Sequence, residues 1–329
     1  MNKPALSYEM PPRLKRDDGD VRRVGFELEF SGINLDETAA ALQSSLGAVP
    51  VSQTAAERVL QVEQMGEFRV ELDWAYLKNK AAEKGLSASD DEWLEWLSQA
   101  AATVVPVEVV CPPVALTQMA DLDPMVLALR RAGAIGTEES LVAAYGVHVN
   151  PEIPVLDAVT LHDYIRAYAL LQWWLVDRHA VDAARKLSPY IDLYPEAYVE
   201  RVLGDSRPGM DEIFAAYLEH NASRNHALDL LPLLAEIDEA RVQKAVDDAR
   251  VKARPTFHYR LPDCDIERAD WSLAEAWNAW CVVEKLAAQS EALDSLAAKY
   301  LGAKRFLLGV KRKAWVEQVD QWLKDHGLV

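Results

Sequence analysis

Cysteine is scarce: Cys111, Cys264 and Cys281 are the three thiols among 329 residues. An odd number without CxxC spacing excludes a disulfide framework and a cysteine-based zinc cluster, and fits a reducing cytoplasm, the expected location. Positive charge is short as well. Asp and Glu number 52 against 35 Lys and Arg, a formal net charge of −17. Such a surface repels polyphosphate backbones and anionic headgroups, so no nucleic acid and no membrane is expected as a partner. Gly and Pro, at 14 and 16, lie outside any low-complexity tract, which excludes collagen-like, mucin-like and disordered chains. A long apolar run is also missing. The most lipid-like window, residues 100–120, contains Pro106, Pro112 and Pro113, which would break a spanning helix. The opening MNKPALSYEMPPRLKRDDGDVRR has no apolar stretch of signal-peptide length, so no export is expected. Its prolines and charges read as a flexible arm over residues 1–22.

What the chain does have is alternation. In RVGFELEFS, Val24, Phe26, Leu28 and Phe30 alternate with Gly25, Glu27, Glu29 and Ser31, so a strand buries the first set and turns both glutamates the other way. A helix is expected over 36–46, capped by Asp36 and stopped by Gly47. EFRVELD repeats the strand pattern, with Glu67, Arg69, Glu71 and Asp73 on one side. Ser89 and Glu92 form a capping box before a helix carrying Trp93 and Trp96. VVPVEVVCPP then sets Glu108 opposite Val107 and Val109, and AYGVHVNP sets His148 and Asn150 opposite Val147 and Val149. Residues 23–155 are therefore a sheet-rich part, expected to be catalytic. Residues 156–254 read as a helical subdomain, with amphipathic pieces near 210–221, 226–236 and 238–252. A returning strand over 255–265, PTFHYRLP, turns His258 and Arg260 away from Phe257 and Tyr259. Residues 266–329 read as C-terminal helices, the first opened by a capping box at Ser272 and Glu275.

Taken singly, each polar strand face fits the solvated side of an antiparallel sheet. Together they say more. Clustered carboxylates repel one another unless a cation neutralises them, and hard oxygen ligands with an imidazole suit Mg²⁺ or Mn²⁺ bound to phosphate. Cys111 is expected to be a buried strand-end residue rather than a nucleophile. His162, His179, His220, His226 and His326 lie in helical stretches and are assigned structural or surface roles.

GFELEF, then VELD, then VEVVCPP, then GVHVNP, and later TFHYR occur in an order that resembles the amidoligase family of the carboxylate–amine ligase superfamily, similar in fold to glutamine synthetase and glutamate–cysteine ligase. The resemblance implies an α+β fold: a curved antiparallel sheet funnel with a large helical portion. It implies an ATP-dependent carbon–nitrogen ligase that forms an amide through an acyl phosphate, with ATP and Mg²⁺ or Mn²⁺ as cofactors. Glu27, Glu29, Asp73, Glu108, His148 and His258 are the implied metal ligands. Glu27, His148, Asn150 and Arg260 are the implied nucleotide contacts, and Arg260 and Arg224 the catalytic cations. The implied partners are a carboxylate and an amine substrate: an amino acid, a peptide or a cell-wall fragment. Neither substrate nor oligomeric state is encoded in any pattern. In one respect the chain departs from the family: His258 stands where the pattern has glutamate, and an imidazole adds no negative charge. A catalytically weakened member acting as a nucleotide- or substrate-binding module is therefore the alternative. A metal-dependent hydrolase is a third reading, without a local HExxH motif behind it.

Overall fold

In the computed structural model, residues 6–72, 106–137, 145–181, 191–204, 207–246, 248, 250–304 and 310–329 are described. Asp73 and the expected helix around Trp93 and Trp96 lie outside the described residues. The alternation in RVGFELEF produces β1 (Arg23–Phe30), in which Val24, Phe26, Leu28 and Phe30 are fully buried while Glu27 and Glu29 are only partly so. Hydrogen bonding extends the sheet from it on both sides. The remaining strands are β2 (Val49–Gln53), β3 (Glu57–Val62), β4 (Gly66–Leu72), β5 (Val107–Val110), β6 (Val114–Ala115), β7 (Val147–Pro151), β8 (Leu228–Asp229) and β9 (His258–Tyr259). Their spatial order is β2-β3-β4-β5-β1-β7-β9-β8, with β6 also on β1, and every pair is antiparallel. The result is an open antiparallel sheet combined with many helices, the α+β class.

The apolar face of the sheet is covered by helices. Leu35–Leu46 packs on β3 and β4, and Leu273–Ala287 packs on β7. Phe257 stacks on Tyr164 at 4.9 Å, and Tyr259 lies 5.3 Å from Trp280, so the odd residues of the returning strand point into the helices. His258 and Arg260 consequently turn to the other face. The Ala158–Arg178 helix is the hub of the helical side, touching Glu196–Gly204, Leu273–Ala287, Ser290–Lys304 and Arg312–Asp325. Leu161, Leu170, Leu171 and Leu175 along it are fully buried. None of the described helices is long and apolar enough to cross a membrane.

Several local expectations shift. The helix after β1 starts one residue earlier, because Asn34 forms the capping box with Glu37; Gly47 ends it at φ 66°, as expected. Residues 226–229 are not helical: Leu228–Asp229 is a strand, and the Leu231–Ala245 helix kinks at Asp238. Ser272 precedes the Leu273–Ala287 helix without a side-chain capping bond: the Glu275 N–H goes to the Ser272 carbonyl at 3.0 Å, and the Glu275 carboxylate is engaged by Arg268 at 2.6 Å. Within the stretch read as a flexible arm, Ser7, Tyr8, Glu9 and Arg22 are tied down. Tyr8 donates to Asp123 at 2.7 Å, the Trp277 indole donates to the Glu9 carbonyl at 2.7 Å, and Arg22 is fully buried.

Candidate metal and oxyanion site

Register decides which side chains meet. Glu27 lies opposite His148, Glu29 opposite Glu108, Glu108 opposite Glu71, and Glu71 opposite Glu57. Four carboxylates therefore form a row across β1, β5, β4 and β3. Like charges directly opposite one another destabilise a sheet unless something neutralises them. Glu71 shows the strain: burial and then the Glu57 charge raise its carboxyl above the ordinary value, against the pull of Arg69.

At the β1 end an imidazole joins the row. The His148 Nδ1 lies 2.7 Å from Glu27 Oε2, and its Nε2 lies 3.6 Å from Glu29 Oε1. A carboxylate only accepts, so Nδ1 carries a hydrogen, and Nε2, the nitrogen facing Glu29, is the one left to meet a cation. Asn150 Nδ2 donates to the other Glu27 oxygen at 2.9 Å, and the Gly146 N–H donates to Glu29 Oε2 at 2.8 Å. Glu27 thus fixes the tautomer and the tilt of the ring, as carboxylates commonly do behind metal-binding histidines. Two sets of side chains bring ligand atoms within 4.8 Å of one another: Glu29, Glu108 and His148, and Glu27, His148 and His258.

The other end of the site is basic. His258, opposite Asp229 across β8 and β9, accepts at Nδ1 from Arg254 Nη2 at 3.0 Å, and its ring lies 5.0 Å from that of His148. Its own burial, followed by the Arg260 charge, pushes His258 well below the ordinary imidazole value and keeps it neutral. For Glu27, burial opposes ionisation most. The imidazoles of His258 and His148 and the Arg254 guanidinium oppose burial and prevail, holding the carboxyl well below its ordinary range. Because His258 is itself neutral, what counts is the hydrogen bond from His148 Nδ1 and the Arg254 charge. Arg224 lies not on a helix but in the turn before β8, 3.9 Å from Asp248, where burial and then Arg260 and Arg250 disfavour its charged form. Asp229 is fully buried, and its carboxyl is raised by that burial despite Arg260, Arg224 and Arg254.

The structure therefore gathers Glu27, Glu29, Glu108, His148, Asn150, His258 and Arg260 on one face, with Arg224 at its edge. Arg254 and Asp229 were not singled out by the sequence, and Glu71 was placed on the acidic face of its strand but not among the site residues. Glu71 shares strand parity with Asp73 and could have been found that way; Arg254 precedes the two-residue strand β9 and carries no periodic signal. Cys111 is buried, and burial raises its thiol, as suits a strand-end core residue. Among the helical histidines, His162 meets the Val202 carbonyl at 3.0 Å and His179 the Tyr259 hydroxyl at 2.7 Å. A separate cleft of about 1010 Å³, lined by Arg130, Asp263, Arg268 and Trp271 among others, contains none of these ligands. Chemistry here follows charge rather than volume.

An antiparallel sheet carrying a carboxylate row, one oriented imidazole and a neighbouring arginine group sets a candidate cation site beside a group of fixed positive charge. The chain belongs to the family described as "Putative amidoligase enzyme", whose model matches residues 20–282. That span contains every site residue named above. The family assignment makes the chain a ligase-type enzyme. No curated protein matches the sequence.

Proposed function

We propose that the chain is an ATP-dependent carboxylate–amine ligase. A substrate carboxylate oxygen attacks the γ-phosphorus of ATP and ADP leaves; an amine nitrogen then attacks the acyl carbon, phosphate leaves, and the nitrogen gives up a proton. The observation that carries this reading is the adjacency of the Glu29, Glu108 and His148 set to Arg254 and Arg260 in a chain of the amidoligase family. The donor set fits Mg²⁺ or Mn²⁺, since it offers hard oxygens and a single imidazole lone pair. When bound, the cation would neutralise charge on phosphoryl oxygens. Glu29, Glu108 and His148 would hold it. Glu27 and Asn150 keep His148 in the tautomer that exposes Nε2. Arg260, with Arg224 behind it, supplies the fixed positive charge that a phosphoryl group needs as charge spreads over its oxygens. An amino acid, a peptide or a cell-wall fragment is the kind of substrate this chemistry serves.

The test combines turnover with binding. ATP consumption should require Mg²⁺, a carboxylate and an amine together. The Glu29→Gln protein keeps the ligand shape but loses the charge, and its Mg²⁺–ATP affinity by calorimetry should fall about tenfold or more. Unchanged affinity would remove the acids from the nucleotide site.

A further inference from the structure

The two ligand sets compete for His148, and the set with Glu27 and His258 already contains a positive charge. Arg254 Nη2 donates to His258 Nδ1 at 3.0 Å, and Arg254 Nη1 lies 4.0 Å from Glu27 Oε1. A guanidinium has donors and no acceptor, so Nδ1 of His258 is the lone-pair nitrogen and the ring hydrogen sits on Nε2. Binding a metal through Nε2 would move that hydrogen to Nδ1, head-on against the Arg254 N–H. Binding through Nδ1 would require Arg254 to leave. Either way the metal would sit beside a guanidinium, which like-charge repulsion disfavours.

The hydrogen on Nε2 is in turn unused. His258 is 3% exposed, and Nε2 has no hydrogen-bond partner among the described residues. Asp229, directly opposite, does not serve: its Oδ1 takes the Leu231 N–H at 2.8 Å, and its Oδ2, like His258 Nε2, has no hydrogen-bond partner among the described residues, so the two do not meet. A buried donor without an acceptor is costly, and in a native site it marks a place for something else. Of the charges acting on the ring, Arg260 and Arg254 favour an anion there, against the Glu27 carboxylate, which is already held by His148 and Asn150.

We infer that His258 is a fixed hydrogen-bond donor to a ligand oxyanion, its Nε2–H positioned by Arg254 at Nδ1, and not a metal ligand. The oxyanion is a phosphoryl or carboxylate oxygen; only this identity rests on the ligase reading. It divides the site into a cation half, Glu29, Glu108 and His148, and an anion half, Arg254, His258 and Arg260.

The full chain tests it. Nitrogen NMR of ¹⁵N-histidine-labelled protein should show the hydrogen of His258 on Nε2, unmoved when Mg²⁺ is added. Mn²⁺ affinity, followed by electron paramagnetic resonance, should be unchanged in His258→Gln and His258→Leu and fall about tenfold or more in His148→Gln. Inorganic pyrophosphate and glutarate then serve as oxyanion probes with Mg²⁺ present. His258→Leu should weaken the recognised probe about tenfold, and His258→Gln, which keeps an N–H near Nε2, should recover most of the loss. Loss confined to pyrophosphate identifies a phosphoryl oxygen; loss confined to glutarate identifies a carboxylate. Hydrogen on Nδ1, weakened Mn²⁺ binding in both His258 variants, or failure of wild type to bind either probe more tightly than His258→Leu overturns the inference. Failure of the ligase reading looks different: an intact Nε2 donor without ATP consumption that depends on carboxylate and amine.

Discussion

Glu27, largely buried, and His258, almost fully buried, both titrate below their ordinary values, yet they act on stability in separate pH windows. Unfolded His258 takes up a proton below its ordinary 6.5 while the folded ring stays neutral, so stability falls as pH drops from about 6.5. Unfolded Glu27 protonates around its ordinary 4.5 while the folded carboxylate stays charged, so its contribution is complete above that value and is lost as pH falls further. Melting temperature measured against pH without divalent cations should therefore show two acid slopes. His258→Gln should shallow the segment from about 6.5 to 5 without flattening it, because burial also lowers His226. Glu27→Gln should shallow the segment below about 4.5. At this scale the sequence was readable where parity decides. Glu27, Glu29, Glu108, His148 and Asn150 share a face because residues two apart on a strand must. The polarity of His258 was not readable, since it depends on a hydrogen bond from Arg254 that no strand period encodes.

Between elements, the junction with most at stake is Arg22 with Glu284. Arg22 Nη1 and Nη2 meet the two Glu284 oxygens at 2.8 and 2.7 Å, and Tyr164 and Trp280 donate to the same carboxylate at 2.7 and 2.9 Å. This pair fastens the residue before β1 to the Leu273–Ala287 helix across the Ala158–Arg178 helix. Removing only the arginine leaves a buried, uncompensated carboxylate, a loss of about 3–5 kcal/mol. Urea denaturation of Arg22→Met should show it, and Arg22→Met/Glu284→Leu should recover part because the stranded charge is gone. Long, regular elements were legible: β1, the helix ending at Gly47 and the Ala158–Arg178 helix all carry their periods openly. β2 and β3 were missed because VPVSQ is exposed throughout and ERVLQV alternates poorly. The segment around Leu228 carries helix formers, but pairing with Tyr259 makes it a strand.

For the whole molecule, four opposed carboxylates predict that folding is coupled to cations. A ligand bound only by the folded chain stabilises it by mass action, about 2.7 kcal/mol at a hundred times its dissociation constant. Mn²⁺ should raise the melting temperature, a chelator should reverse the rise, and Glu29→Gln should largely abolish it. If the wild-type melt is indifferent to Mn²⁺, the row is neutralised by protonation instead.

The order of strands in space also fixes an order in time. The cation half lies on β5, β1 and β7, all synthesised by residue 151, whereas β9 with His258 reaches β7 only after the helical stretch between them. Long-range pairings form late because their loops must close first, and N-terminal parts emerge earlier from the ribosome. On the proposed reading, a nascent chain would carry the candidate cation ligands before the strand bearing the proposed oxyanion donor is made, and translation itself would stage the two.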